Sequence, residues 1–363
     1  MTAMAMSTYD ADYDRANEVK LFDESKKGVK GLVDSGLTTI PRFFIYPPET
    51  LSDLKPDSHT RPESISIPII DLSGSRSAIV DQISRAAREF GFFQIINHGI
   101  ALETIERTIS AIKAFHEQPT EIKAPFYRRE VRNCVRYFSN IDLYHSEAAS
   151  WRDTLHVMLG SNPPAAGGLP EICREEVLDW DREVEVLGGK LMGLMSEGLG
   201  LSTERLKEYT CLEGKAMVGQ YYPNCPQPDL TMGNGSHTDP GVFTVLIQDQ
   251  TGGLQVKYGG LWVDVKPVRG AIVVNVGDLL QIMTNDEYKS VFHRVLANSS
   301  GQPRVSVAVF PQPGKREELY GPLPELVSPN KPALYKQFMY LEYMRKFFSK
   351  QIDGKTLLSQ YKL

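Results

Sequence analysis

The sequence has few cysteines, and none of them forms a close pair with another. Four occur among 363 residues, and no two stand in a C-x-x-C arrangement; they are Cys134, Cys173, Cys211 and Cys225. Small disulfide-bonded domains and structural zinc sites usually show repeated, closely spaced cysteines. The pattern therefore predicts reduced thiols and argues against both a disulfide framework and a cysteine-based zinc site.

The sequence also lacks an excess of positive charge and a long apolar segment. Its formal net charge is -5 and its basic residues are scattered, which argues against a nucleic-acid-binding surface. No segment approaches the roughly twenty apolar residues of a membrane span. The first sixteen residues contain three aspartates and no apolar stretch typical of a signal peptide. We therefore expect a cytoplasmic protein whose partner is neither a nucleic acid nor a membrane.

Helical patterns dominate the first 210 residues. Apolar residues recur every three or four positions in "SAIVDQISRAAREFG", in residues 101–117 and in "WDREVEVLGGKLMGLMSEGLGL", which predicts three amphipathic helices. Shorter helices are predicted at "EVKLFDESKKGVKGLVDSG", ending at Gly36, and at "STERLKEY". Five prolines in residues 40–66 predict an extended connector, and the aromatic residues and "SNPPAAGG" within 125–170 predict loops.

From about residue 214 the pattern changes to short strands. Apolar or alternating runs such as "KAMVGQYY", "VFTVLIQ", "AIVVNVG" and "RVSVAVF" are separated by turns, and Gly259-Gly260 predicts a two-residue hairpin. About seven strands within a hundred residues are typical of a sandwich, barrel or jelly roll. A last helix is predicted at "YLEYMRKFFSKQ". The two parts together predict an α+β protein.

A candidate metal site begins with His237 and Asp239. They stand two positions apart beside a strand-like run, so on a strand they project from the same face. His293, in a later predicted strand, supplies a third ligand, because a jelly roll brings distant strands to one opening. Two imidazoles and one carboxylate are the set that binds Fe(II) in non-haem oxygenases. Zinc hydrolases also use such sets, but the helical H-E-x-x-H pattern is missing here.

Arg304 and Ser306, again two positions apart, provide a candidate anion site on the next strand. A guanidinium matches a carboxylate with two parallel hydrogen bonds, and a serine hydroxyl can donate a third. The alternative is that Arg304 pairs with a nearby acid of the protein. Next to a metal site, the pair favours binding of an anionic co-substrate.

Several motifs resemble those of the plant 2-oxoglutarate/Fe(II)-dependent dioxygenases. H-T-D at 237–239, His293 and R-V-S at 304–306 resemble the family in spacing, and further similar stretches are "IPIIDL", "REFGFFQIINHGI", "YYPNCPQPDL" and "GGLQVKYGGLWVDVKP". The similarity runs from about residue 65 to the end. The preceding "KLFDESKKGVKGLVDSGLTTIPRFFIYPP" resembles the branch of 1-aminocyclopropane-1-carboxylate oxidase homologues, which includes hydroxylases such as desacetoxyvindoline 4-hydroxylase.

The resemblance implies a fold and a division of the chain. The fold would be a double-stranded β-helix, or jelly roll, flanked by helices. Four regions follow from it: an N-terminal extension with a short helix and connector (1–64), a mostly helical region (65–212), the catalytic jelly roll (213–315), and a C-terminal strand and helices packed on that core (316–363).

The resemblance also implies an enzyme. Fe(II) would be bound by the two histidines and Asp239, and 2-oxoglutarate by Arg304, Ser306 and Tyr222, with O2 as oxidant and ascorbate as reductant. The expected reaction is hydroxylation of a small plant specialised metabolite, coupled to conversion of 2-oxoglutarate to succinate, by a monomeric protein. Alternatives are O-demethylation or desaturation by the same oxidant, ascorbate-dependent 1-aminocyclopropane-1-carboxylate oxidation, metabolite binding without catalysis, and zinc-dependent hydrolysis.

Three residues are candidates for contact with the organic substrate. Phe310 ends the strand of Arg304 and Ser306 and matches an aromatic residue that stacks on ring substrates in flavonoid-type relatives. Tyr137 lies in a region that forms part of the substrate pocket in the family. A core or surface role is the alternative for Tyr137, and ordinary core packing is the alternative for Phe310. Val218 shares a strand face with Tyr222, and some relatives carry a polar or charged group at that position. An apolar residue there favours a less charged substrate.

Overall fold

The computed structural model describes residues 13–52, 65–130, 133–160, 163–209, 211–315, 317–349 and 357–363. The α-helices are α1 (Arg15–Ser25), α2 (Gly28–Asp34), α3 (Pro48–Ser52), α4 (Arg76–Glu89), α5 (Leu102–Glu117), α6 (Thr120–Lys123), α7 (Arg174–Gly198), α8 (Asp278–Met283) and α9 (Tyr340–Ser349). The strands are β1 (Ile69–Asp71), β2 (Phe92–Ile96), β3 (Val135–Phe138), β4 (Asp153–Gly160), β5 (Gly214–Tyr222), β6 (Met232–His237), β7 (Phe243–Gln248), β8 (Leu254–Tyr258), β9 (Leu261–Asp264), β10 (Ile272–Val276), β11 (His293–Leu296), β12 (Arg304–Gln312), β13 (Leu319–Tyr320) and β14 (Phe338–Met339).

The predicted long helices α4, α5 and α7 are present. In α4 the Ser75 hydroxyl caps the first turn by accepting from the Ala78 amide, and Ile79 and Ile83 are buried. Gly91 ends the helix with a φ of +64°, and a side chain there would collide with the Lys289 carbonyl. None of the helices in the described parts of the chain combines the length and apolar character needed to cross a membrane.

Two facing sheets form the predicted jelly roll. The larger has the strand order β1-β2-β10-β7-β12-β5-β4-β3, and the smaller has the order β6-β11-β8-β9. Alternate residues of the larger sheet, such as Val305, Val307 and Val309, pack in the main core together with residues of α4, α5 and α7. The opposite face, called the inner face below, packs against the smaller sheet through Phe92 and Val273. Inner-face side chains in this part of the larger sheet therefore point into the space between the two sheets.

Three local predictions were wrong. Residues 125–170 are not only loops, because β3 and β4 pair with each other and β4 pairs with β5 along its whole length. The buried alternation of Leu155, Val157 and Leu159 was visible in the sequence, but the flanking prolines and glycines obscured it. The helix at 202–209 is reduced to a 3-10 turn at Lys207–Tyr209, and the short buried helix α8 was not predicted.

The N-terminal extension forms two helices where one was predicted. Lys26, in a left-handed conformation with a φ of 56°, ends α1, and α2 begins two residues later. Phe22 of α1 contacts Phe43 and Phe44, and Phe44 in turn packs edge-on against Trp151. The expected extended connector at 40–66 instead contains a 3-10 turn and α3 up to residue 52, and residues 53–64 of it lie outside the described residues.

Asp153, the first residue of β4, anchors this extension. Its two carboxylate oxygens accept hydrogen bonds from the amides of Val29 and Lys30, each at 2.8 Å, in the first turn of α2. Gly28 packs so closely that a side chain there would collide with the Asp153 carboxylate and with the hydroxyl of Tyr137. The extension is therefore attached to the face of the larger sheet that packs in the main core, called the outer face below.

We expect Asp153→Asn to gain stability relative to the unchanged protein as the pH rises from 4 to 7. Burial raises the pKa of Asp153 from 3.8 to about 6, against the lowering effect of the Lys30 and Val29 amides. Because this pKa is higher in the folded protein than in the unfolded chain, protonation of Asp153 contributes to the free energy of unfolding. The contribution is complete below about pH 4 and is lost as the pH rises through 6. Asparagine does not ionise, so the variant does not lose it.

The measurement is urea unfolding of both proteins at the two pH values. A shift of about two pH units corresponds to a change of about 3 kcal/mol in the difference between their free energies of unfolding. Asp34→Asn, which alters an exposed carboxylate of α2, is the control and is expected to show no such change. An equal difference between the Asp153 variant and the unchanged protein at both pH values would contradict the argument.

Candidate metal centre and co-substrate pocket

His237 and His293 are brought together by strand pairing. His237 is the last residue of β6, His293 is the first of β11, and the two are direct partners in the antiparallel register. Opposed residues of such a pair have neighbouring side chains, and the two ring centroids are 4.2 Å apart. Asp239 was expected to share a strand with His237 but lies just beyond the end of β6, in the connection to β7.

The three side chains direct their ligand atoms at one point. The Nε2 atoms of His237 and His293 each lie 3.6 Å from Oδ1 of Asp239, and the three ligand atoms lie within 4.8 Å of one another. The Nδ1 atom of His237 is 2.8 Å from the Gly235 carbonyl oxygen, so it is the protonated nitrogen. This hydrogen bond fixes the tautomer that presents the Nε2 lone pair to a metal.

The carboxylate of Asp239 is held in place by two neighbours that the sequence analysis did not identify. Its Oδ2 atom accepts hydrogen bonds from the Thr244 hydroxyl and from the Asn275 side chain, at 2.5 and 2.8 Å, which leaves Oδ1 facing the two histidines. Burial alone raises the pKa of Asp239, but the nearby imidazoles and these two hydrogen bonds lower it below its usual value. The carboxylate is therefore ionised at neutral pH.

His237 is also in the protonation state that binds a metal. Burial, followed by the neighbouring His293, lowers the pKa of His237 to about 4, so its imidazole is neutral at physiological pH. Two imidazole nitrogens and one carboxylate oxygen suit Fe(II), and these three residues would hold such an ion. Within the described ranges, this is the only group of three such residues that meets the geometry of a metal site.

Arg304 lies on the inner face with its guanidinium fixed by uncharged groups. Its Nε donates to the Gly252 carbonyl at 2.6 Å, Nη1 to the Ser306 hydroxyl at 3.1 Å, and Nη2 to Oε1 of Gln248 at 2.7 Å. The Tyr222 ring lies 4.9 Å from its central carbon, because Tyr222 is its register partner on β5. These contacts orient the charge without neutralising it.

The surroundings of Arg304 fit a bound carboxylate. No carboxylate of the described residues forms an ion pair with it, although the residue is only 1% exposed. Gln248, which the sequence analysis missed, has a buried Nε2 atom without a hydrogen-bond partner in the described structure. A buried guanidinium without an acidic partner and a buried amide nitrogen without an acceptor are what a dicarboxylic co-substrate would satisfy.

Comparison with known proteins agrees with this geometry. Residues 213–313 match the family model described as the 2OG-Fe(II) oxygenase superfamily, and residues 67–169 match that of the non-haem dioxygenase in morphine synthesis N-terminal region. The 1-aminocyclopropane-1-carboxylate oxidase homolog 4 of Arabidopsis thaliana is 47% identical to this chain over 95% of the chain and 97% of the relative. The chain belongs to the 2OG-Fe(II) oxygenase superfamily. It is a non-haem iron, 2-oxoglutarate-dependent oxidoreductase with a jelly-roll core.

Three further proteins are similar to this oxygenase. Homolog 1 of the same Arabidopsis group is 46% identical over 97% of this chain and 98% of its own length. JOX2, whose crystal structure was determined in complex with 2OG, Fe and JA, is 32% identical in sequence to this chain. The two structures superpose with a TM-score of 0.79 over 93% of this chain and 97% of JOX2. The rice dioxygenase for auxin oxidation, at 24% identity and a TM-score of 0.68, covers 82% of this chain and 100% of its own, and shows the fold alone.

The candidate substrate residues of the oxygenase do not all lie together. Phe310 and Val218 are on the inner face, on the paired strands β12 and β5. Tyr137 is on the outer face of β3: it is fully buried in the main core, its ring packs against Phe115 and Tyr127, and its hydroxyl is near Gly28. The prediction that Tyr137 lines the substrate pocket was therefore wrong by one residue, because the neighbours of Tyr137 on β3 face inward.

Proposed function

We propose that this oxygenase hydroxylates a small plant specialised metabolite, with Fe(II) held by His237, Asp239 and His293 and with 2-oxoglutarate held by Arg304, Ser306 and Tyr222. The observation that carries the proposal is the shared inner space. One end of it presents three converging metal-ligand atoms, and the same space contains a buried guanidinium without an acidic partner. Bound iron supplies the activation of O2, which is coupled to the conversion of 2-oxoglutarate to succinate and carbon dioxide.

The protein contributes orientation and exclusion of water to this reaction. Arg304 and the hydroxyl of Ser306 would fix the far carboxylate of the co-substrate, so that its keto-acid end points to the metal. Thr244 and Asn275 hold Asp239 in a single orientation. The Phe92 ring, 5.2 Å from that of His293, forms an apolar wall on the other side of the site.

The position of the substrate would decide which product forms. The same oxidant hydroxylates, demethylates or desaturates according to which C–H bond is closest to it. Phe310 and Val218 are proposed to contact the substrate, because they lie on the inner face of the same two strands as the co-substrate residues. We further propose O2 as oxidant, ascorbate as reductant of the iron, a monomeric state, a cytoplasmic location and the four-region division at residues 64, 212 and 315.

The test is a screen for succinate release by protein loaded anaerobically with Fe(II) and 2-oxoglutarate, then exposed to O2 and extracts of plant tissue. We expect an extract component that stimulates succinate release and gains the mass of one oxygen atom. A parallel reaction contains 1-aminocyclopropane-1-carboxylate, ascorbate and bicarbonate, since the similar Arabidopsis proteins carry that oxidase in their names. Ethylene formation without a need for 2-oxoglutarate would overturn the proposal, as would activity that persists without O2.

A further inference from the structure

A second buried guanidinium, that of Arg136, lies on the inner face at the other end of the larger sheet. Arg136 is on β3 and pairs with His156 of β4, which pairs with Val218 of β5, which pairs with Ala308 of β12. These four residues form one row across the sheet. Because alternate residues share a face, the Arg136 side chain lies on the same face of the sheet as the candidate substrate residue Val218.

Arg136 has no acidic partner in the described parts of the chain. The residue is 3% exposed, its Nε is buried without a hydrogen-bond acceptor, and no carboxylate forms an ion pair with it. Its Nη2 lies 3.3 and 3.4 Å from the two ring nitrogens of His156, and its central carbon lies 5.5 Å from the Phe138 ring centroid. The guanidinium thus rests between two rings that do not neutralise it.

A buried charge of this kind is costly unless an anion accompanies it. An arginine remains protonated in proteins, so Arg136 cannot escape the cost by losing its proton. Taking an unpaired ion out of water costs several kcal/mol. Elsewhere in the protein the charge of a half-buried arginine is met by acid: Asp23 pairs with Arg129 at 2.8 Å. Among the described inner-face strand residues, Arg304 is likewise buried and without an acid, and its proposed partner is a ligand.

We infer that Arg136, supported by the imidazole of His156, binds a carboxylate of the organic substrate. This inference rests on the proposed function, because it names the chemical class of that substrate. The fork of a guanidinium recognises a carboxylate through two parallel hydrogen bonds, and the single charge of Arg136 matches a monocarboxylate. A neutral imidazole carries both a donor and an acceptor, and burial, followed by the charge of Arg136, lowers the pKa of His156 to about 3.

The strand order indicates the shape of this acid. Thr244, which contacts the metal ligand Asp239, is on β7, and β3 is four strands away from it across β12, β5 and β4. Four strand spacings amount to about 19 Å along the sheet, so a carboxylate bound at Arg136 lies well away from the metal ligands. Between them the inner face presents Val218, Ala308 and Phe310. The substrate is therefore an elongated acid with an apolar middle.

Arg136 alters what the apolar Val218 implies about the charge of the substrate. An apolar residue at that position favoured a less charged substrate, because some relatives carry a charge there. The structure shows that a cationic side chain reaches the same row from β3, two strands away. The row therefore still carries a positive charge, at Arg136 and not at position 218. A carboxylate bound by Arg136 lies farther from the metal than one bound by a charged residue at position 218 would lie.

The experiment measures binding to the complete enzyme, loaded with Fe(II) and 2-oxoglutarate under anaerobic conditions, by isothermal titration calorimetry. The probes are straight-chain monocarboxylic acids of about eight to fourteen carbons, chosen to span distances up to that estimated from the strand spacing, and their methyl esters. We expect at least one acid to bind about tenfold or more tightly than its ester. Arg136→Gln is expected to abolish this preference by weakening the acid alone, and Arg136→Lys to retain part of it.

Two further variants make the result specific. Arg128→Gln removes the same charge from an exposed site before β3 and is expected to leave the acid preference unchanged. Arg152→Gln alters a further arginine, directly before β4, whose buried Nε is also without a partner in the described structure; loss of the preference in this variant, with Arg136→Gln unaffected, would overturn the assignment. Equal binding of acids and esters by the unchanged protein, or no binding of either, would also overturn it.

The outcomes separate this inference from the proposed function. Iron and 2-oxoglutarate binding, and the slow succinate release that occurs without organic substrate, depend on the metal centre and Arg304, so Arg136→Gln is expected to retain them. If the unchanged protein releases no succinate under any condition, the proposed function fails, whereas the acid preference is still measured by calorimetry. A fall of the thermal midpoint in Arg136→Gln but not in Arg136→Lys identifies a folding defect of the glutamine variant. The test then uses Arg136→Lys, for which we expect a weaker preference for the acid over the ester than in the unchanged protein.

Discussion

Replacing Asp239 by asparagine is expected to lower succinate release by about two orders of magnitude or more. Changing the groups that merely orient metal ligands already costs about 10- to 100-fold, and Asp239 is itself the only anionic ligand of the proposed set. Its Oδ2 accepts two hydrogen bonds while Oδ1 faces the histidines. An asparagine that keeps its oxygen toward Thr244 and Asn275 must turn its NH2 group, which cannot bind a metal, toward the site.

The measurement combines succinate release with the affinity for Fe(II) in anaerobic equilibrium dialysis. Both are expected to fall together, because the loss lies in metal binding. Asp229→Asn makes the same chemical change at an exposed position and is expected to behave like the unchanged protein. Normal turnover by the Asp239 variant would show that the three converging side chains are not the metal centre.

Replacing Arg304 by glutamine is expected to raise the KM for 2-oxoglutarate by about two orders of magnitude. A hydrogen bond to a charged group contributes about 1.5 to 3 kcal/mol, and the co-substrate would lose two of them along with the matching charge. The loss concerns binding of the far carboxylate, so turnover at saturating 2-oxoglutarate is expected to fall much less than the affinity does.

Steady-state kinetics over a wide range of 2-oxoglutarate concentrations provides the check. Arg304 also holds the Gly252 carbonyl and Gln248, so the thermal midpoint of each variant is measured in parallel. Arg304→Lys keeps the charge without the planar fork and is expected to give an intermediate KM. Arg269→Gln, which breaks an exposed ion pair with Glu106, is the control. If the KM of Arg304→Gln is unchanged, this arginine only braces the strands.

The sequence predicted the metal site because its residue types are distinctive. A histidine and an acid two positions apart, followed by a histidine in a later strand, already limit the chemistry to a few metals. Thr244, Asn275 and Gln248 could not be found in the same way, since threonine, asparagine and glutamine are common on strands. The signal that could have revealed them is a polar residue at an inward position of an otherwise apolar run, as in "VFTVLIQ" and "AIVVNVG".

The substrate side was predicted less well, for a reason that lies in strand periodicity. With 125–170 taken as loops, Tyr137 had no defined face, and the resemblance to the family suggested the pocket. Once β3 is a strand, a shift of one residue moves a side chain to the opposite face of the sheet. Arg136 and Phe138 then face inward, and the row with His156 and Val218 exists only when β3 and β4 are both recognised.

The attachment of the N-terminal extension has a consequence for the inner face of the sheet. Asp153 holds the extension from the outer face of β4, whereas Thr154 and His156 on the same strand face inward. Any substitution in α2 that shifts the start of β4 also shifts those inward neighbours by the same rigid-body movement. Residues of α2 can therefore act on the inner face of the sheet without touching anything bound there, and changing them leaves the metal ligands untouched.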